Sequence, residues 1–207
     1  MGLALTGIVE PAALAQTTLT VWMEAPAQVQ AGESFEVDVF LRGETDLFDD
    51  SPEVSGFNSF ALSPTATGLG QAVVNMETTR DAEMSPWGLL DAGTYDPTTS
   101  ALLDVTGFQG IPDTFPLTFW EPGNPIRGFS FRVDLVAGLT GELEIQTLDP
   151  FMWFSAIGQG FGGVTSDDPG VTLDLQPLTV QIIPTPAAPA IGLALLVGGT
   201  RRRRSGH

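Results

Sequence analysis

Carboxylates are almost the only side chains in this sequence able to do acid, base or metal chemistry. There is no cysteine, no lysine, and one histidine, His207. Thiolate nucleophiles, Schiff bases, Ser-His-Asp triads and histidine- or cysteine-based metal sites are therefore excluded from everything before that last position. The segment ETDLFDDSPE places Asp46, Asp49, Asp50 and Glu53 within eight positions. That is enough oxygen for a structural Ca²⁺ if the loop closes on itself, although the spacing is not that of an EF-hand and a solvated acidic loop is the favoured reading. Asp167 and Asp168 belong to Asp-Asp-Pro-Gly, which suits a reverse turn without a metal. Glycoside hydrolysis needs two carboxylates at a defined separation. Among this many carboxylates a pair close in sequence, such as Glu142 and Glu144, carries no meaning by itself, and these two alternate outward on a candidate strand like any solvated face. The expectation is a non-enzymatic protein with no catalytic residues and no cofactor beyond that candidate Ca²⁺.

Aromatic rings are the other route to function, because exposed flat rings stack against sugars. Trp22 falls on the polar side of its strand if Leu19, Val21 and Met23 point inward, which makes it the best candidate stacking ring. Phe151 to Phe154 (FMWF) is apolar on both sides and is expected to be buried.

Charge narrows the partners. All but one of the 25 carboxylates, Glu10 being the exception, lie between residues 16 and 183, against four arginines: Arg42, Arg80, Arg127 and Arg132. Such a body repels nucleic acid and anionic headgroups. It suits cations, neutral polysaccharide or a basic surface protein.

Short amphipathic strands are the elements that must position these residues. Phe35, Val37, Val39 and Leu41 alternate with Glu36, Asp38 and Arg42, the pattern of a half-buried strand. The same period runs through Leu19, Val21 and Met23, through Phe129, Phe131, Val133 and Leu135, and through Leu143 and Ile145. It returns at Val171, Leu173, Leu175, Leu178, Val180 and Ile182. Ala31-Gly32, Gly138 and Asp167 to Gly170 supply turns. The stretch from 77 to 125, with six prolines from Pro86 to Pro125, reads as long connections carrying short strands, with one or two helical turns at DAEMSPWGLLDAG. The predicted fold is all-β: a two-sheet antiparallel β-sandwich, followed by a short C-terminal apolar helix.

Three regions follow. Residues 1–15 form a signal peptide truncated at its start, with Ala13 and Ala15 in the small-x-small pattern that precedes cleavage at Gln16. Residues 16–183 form the sandwich. Residues 184–207 form a tail in which Ala187 to Thr200 is uncharged, about 21 Å long as a helix. That is a marginal span, and Arg201, Arg202, Arg203 and Arg204 follow it at once, a combination suited to holding a segment in the membrane with the arginines on the cytoplasmic side.

The string IPTPAAPAIGLALLVGGTRRRR resembles a PEP-CTERM sorting signal, with Pro184, Thr185 and Pro186 where that family commonly has Pro-Glu-Pro. The resemblance implies recognition by an exosortase-type membrane enzyme, processing near Pro184 to Pro186, and an exported body at the cell surface or in the extracellular matrix of a bacterium. AQVQAGESFEVDVFLRG, GFNSFALSPTATG and IRGFSFRVDLVAGLTGELEIQTLD together resemble cohesin-like and carbohydrate-binding-module-like sandwiches. That resemblance implies a binding module of jelly-roll type, for a protein or a polysaccharide, and carries over no binding residue.

Overall fold

A computed structural model describes residues 17–45, 55–80, 89–108, 125–156 and 163–186. It contains twelve strands: β1 (Thr17–Glu24), β2 (Gln28–Gln30), β3 (Ser34–Thr45), β4 (Ser55–Gly68), β5 (Val73–Arg80), β6 (Leu89–Asp96), β7 (Ala101–Phe108), β8 (Ile126–Leu135), β9 (Gly141–Ala156), β10 (Gly163–Thr165), β11 (Val171–Leu175) and β12 (Leu178–Ile183). Five form one sheet, in the order β11-β1-β3-β8-β5. Seven form the other, in the order β2-β12-β9-β4-β7-β6, with β10 paired to β9 beyond β12.

The alternation read from the sequence sets the inner faces. Leu19, Val21 and Met23 of β1, Phe35 to Leu41 at every second position of β3, and Phe129, Phe131, Val133 and Leu135 of β8 are buried. They meet Phe57, Phe60, Leu62, Leu143, Ile145, Met152 and Phe154 from the opposite sheet in one core. Phe60 stacks on Phe129 across the layers, with centroids 5.8 Å apart. Phe154 fills the space over Gly43, where an added Cβ would come within 2.7 Å of its ring, so the close approach of the two sheets requires glycine there. Each large core side chain contributes about 1.5–3 kcal/mol by leaving water.

Three expectations are corrected. The sheets are not wholly antiparallel: β1 pairs β11 in parallel and β12 pairs β2 in parallel. The chain also changes sheet, at Gln176-Pro177. The apolar run from Val171 to Ile182 is not one ribbon but β11 on the five-stranded sheet and β12 on the seven-stranded one. Proline lacks the amide a continuing ladder needs, and Gln176 closes the step by donating its amide to the Val21 carbonyl at 2.9 Å.

Second, within the stretch from 77 to 125 the described residues 89–108 are more regular than expected, because β6 and β7 form a hairpin whose turn is Pro97 to Ser100. Leu89 to Gly93 is strand rather than helical turn; residues 81–88 lie outside the described residues. Third, FMWF is not buried on both sides. Met152 and Phe154 are buried, Trp153 is half-buried and Phe151 is exposed. The reason is a bulge: the pairing shifts register between Ala61 and Ser63, opposite Leu148 and Phe151. Asp149 takes a φ of 41° there. This bulge re-phases β9, and the period counted from Leu143 does not carry through it.

The C-terminal helix expected over Ala187 to Thr200 lies outside the described residues. Among the described residues no helix is long and apolar enough to cross a membrane.

Candidate functional site

The two outer sheet faces are the surfaces on which function can be built, and they differ in chemistry. On the five-stranded sheet, register brings polar residues of β3, β8 and β5 into rows: Ser34 beside Asp134 and Asn75, Glu36 beside Arg132 and Glu77, Asp38 beside Ser130. Asp134 is the hub. Its carboxylate accepts from Ser34 Oγ at 2.6 Å, Asn75 Nδ2 at 3.2 Å and Arg132 Nε at 3.0 Å. The Ser34 hydrogen bond, helped by Asn75 and Arg132 and opposed by partial burial, holds the Asp134 carboxyl below its ordinary value. Arg132 also donates to Glu77 at 2.8 Å, and Thr79 donates to Glu36 at 3.2 Å. Ser130 donates to Asp38, which lies 3.9 Å from Arg127.

Trp22 sits on this face, as its strand phase predicts, next to Phe40 in register. The two rings stack with centroids 5.2 Å apart and 14° between their planes, and the indole N–H donates to Glu24 at 3.1 Å. The ring is half-buried and one of its faces is occupied by Phe40.

On the seven-stranded sheet, the outward positions of β9 on the two sides of the bulge are Leu148 before it and Phe151 and Trp153 after it. Leu148 is 45% and Phe151 38% exposed. Trp153 lies across Gly163 of β10, where an added Cβ would stand 2.2 Å from the indole nitrogen, so a glycine is needed for the ring to lie flat. The register partners on β4 are Ser63, Ala61 and Ser59, and Thr106 of β7 flanks Ala61. An apolar row with two aromatic rings thus runs beside a strip of small, partly hydroxylated side chains. Sequence reasoning missed this row. The signal was Asp149-Pro150, a pair that interrupts a strand and permits a phase change.

The remaining candidates are placed as follows. Asp46, Asp49, Asp50 and Glu53, Ala13, Ala15 and Gln16, and Arg201 to Arg204 lie outside the described residues. Pro184, Thr185 and Pro186 are exposed. Thr185 is nonetheless tied down, its hydroxyl donating to the Ala31 carbonyl at 2.6 Å. Asp168 accepts from the Thr165 amide at 2.7 Å, the turn chemistry expected of Asp-Asp-Pro-Gly. Glu142 and Glu144 are exposed on β9. Among the described residues no group of three or more acidic or histidine side chains is placed to hold a metal. A recess lined by Val21, Met23, Gln146, Thr147, Leu175, Gln176 and Pro177 has a volume of about 70 Å³. It is large enough to hold water.

No family model matches the sequence, and no curated protein matches it. Among solved structures the chain is similar to cohesin modules. One is the cohesin module of a Clostridium perfringens family 33 glycoside hydrolase, 12% identical, covering 82% of this chain and 100% of that one, with a TM-score of 0.48. A second is the seventh ScaB type I cohesin from Pseudobacteroides cellulosolvens, at 8% identity, 82% and 94% coverage and a TM-score of 0.49. A third, from a type I cohesin–dockerin complex of Clostridium thermocellum, is 12% identical over 80% and 99% of the chains, with a TM-score of 0.48. Likeness at this identity and score carries no information on what this chain binds.

Proposed function

We propose that this protein is a non-catalytic module of the cell surface or extracellular matrix, carried out of the cytoplasm and sorted through its C-terminal tail, whose sandwich holds a macromolecular partner on the outer face of β9. The observation that carries the binding reading is the row of Leu148, Phe151 and Trp153. Leu148 and Phe151 leave apolar area in water beside the half-buried Trp153 and a strip of hydroxyls, whereas most polar groups opposite, on the five-stranded sheet, are engaged with one another. The sorting reading is supported by the order of parts in the tail, Pro-Thr-Pro, apolar run and arginine cluster. In this reading an exosortase-type enzyme cuts near Pro184 to Pro186.

A protein module is the first class of partner to test, being what the cohesin of the cohesin–dockerin complex holds. The second reading is a carbohydrate-binding module, favoured by the pairing of Phe151 and Trp153 with Ser59 and Thr106; Trp22 is the alternative stacking ring. Native protein from envelope and medium, analysed for intact mass and terminal peptides, tests the sorting reading. A mature chain running from near Gln16 to near Pro184–Pro186 is expected, and an intact chain in the cytoplasm overturns it. Binding of that mature protein to a glycan panel and to immobilised surface proteins tests the ligand. Phe151→Ser and Trp153→Ala are expected to abolish whichever binding is found, and unchanged binding overturns the β9 face.

A further inference from the structure

Three of the five large apolar side chains exposed among the described residues, Val74, Val136 and Leu139, cluster at one end of the sandwich, and it is the end from which the tail departs. The connections are direct. Thr185 donates to the Ala31 carbonyl, and the Ala31 amide donates to Ile183 at 2.9 Å. The adjacent Gly32 lies against Ala137, so that a Cβ on it would stand 3.2 Å from the Ala137 Cβ. The Val136 amide donates to the Ala72 carbonyl at 2.7 Å, and Val73 pairs with Leu135. Val74 is the extra residue of a bulge on β5, unpaired in the ladder and 55% exposed. Leu139 sits in the 136–140 connection that carries the chain from β8 to β9, whose first residue accepts from Gln181 at 3.0 Å.

Where the chain goes next makes this end unusual. Thr185 is clamped to the body, and the uncharged run starts at Ala187, two residues on, within about 7 Å of fully extended chain. A tail held so short leaves no spacer between the sandwich and whatever the run enters. We propose that this end of the sandwich rests on a lipid bilayer while the tail is membrane-inserted, with Val74, Val136 and Leu139 reaching into the headgroup–acyl boundary. The inference rests on reading the tail as a membrane segment. The carboxylates sharing this end, Glu33, Asp96, Asp134 and Glu142, would be repelled by anionic lipid, so the surface suited to it is zwitterionic. Shallow insertion of a few apolar side chains fits such an interface and needs no helix.

The natural absence of cysteine makes the test clean. Full-length chains carrying Leu139→Cys, Val136→Cys or Glu44→Cys are labelled with a polarity-sensitive bimane and mixed with phosphatidylcholine vesicles. Glu44 lies near the far end of β3, about 33 Å from Ser34 at ~3.3 Å per residue. All three chains are expected to float with the vesicles. The probes at 139 and 136 should shift to the blue and be quenched by brominated phosphatidylcholine at least about twofold more than the probe at 44. Chains that float with a water-like probe at both 139 and 136 overturn the lipid contact and leave the tail reading standing. Equal shifts at all three positions also overturn it, since the body would then have no oriented contact. Chains that do not float overturn the tail reading and this inference with it.

Discussion

The two outer faces of the sandwich share one core and have opposite habits. On the five-stranded sheet, Ser34, Asn75, Arg132, Glu77, Ser130 and Asp38 are engaged across strands, and Asp134 alone accepts from three donors on three strands. Along β9 on the other sheet, Leu148 and Phe151 stand in water with nothing comparable to hold. Cross-strand polar pairs of this kind stabilise a sheet by roughly 0.2–1 kcal/mol each, so the first face is spent on the molecule's own stability. The second is left for something else to cover.

The largest test of this contrast strikes what the faces share. Phe154→Ala removes a fully buried ring packed on Phe57 and Gly43, and should lower unfolding free energy in urea by about 3–5 kcal/mol. Both faces should melt in one transition followed by circular dichroism. Two separate midpoints would mean that they do not share a core.

Next in size, Asp134→Ala takes the common acceptor from three donors and should cost about 1–2 kcal/mol in the same assay, with no effect on partner binding. A loss of binding with unchanged stability would reverse the roles assigned to the two faces.

A smaller effect separates the faces by pH. Because the folded Asp134 carboxyl titrates below its ordinary value of 3.8, its contribution is fully present above that pH. It is lost as pH falls from there through the folded value. Asp134→Asn should therefore flatten the acid limb of the stability profile, as measured by urea midpoints between pH 5 and about 2. An unchanged acid limb would show that the hub does not form.

The smallest effect on stability is expected from Phe151→Ser, within about 0.5 kcal/mol of the parent, because the ring is already partly in water. A large destabilisation would show that the β9 row is held by the body rather than offered to a partner.

These faces were unequally legible in the sequence. Alternation in β1, β3 and β8 placed Leu19, Phe35 and Phe129 inward without error, because each strand keeps one phase over most of its length. Trp22 followed from the same phase, but its stack on Phe40 did not, since that depends on which strand lies beside β1. The β9 row was hidden by a register change at Asp149-Pro150, where a single count of two runs out of phase. The change of sheet at Gln176-Pro177 was hidden for a different reason. Val171 to Ile182 keeps an apolar rhythm on both sides of the break, because each half faces the same core from opposite layers. The apolar end at Val74, Val136 and Leu139 is assembled from distant loops, and no local pattern marks it.

The parallel pairings described above also fix when this protein can become a protein. Leu19 of β1 waits for Leu173, and Val29 of β2 waits for Ile182. Each pairing closes a loop of about 150 residues, the kind of distant contact that forms slowly. β12 moreover lies between β2 and β9 within its sheet. A chain made first residue first cannot complete either layer until the residues just ahead of Pro184 are available. The last strands to arrive are the ones that lock the first, so the moment of folding and the arrival of the tail are nearly the same event.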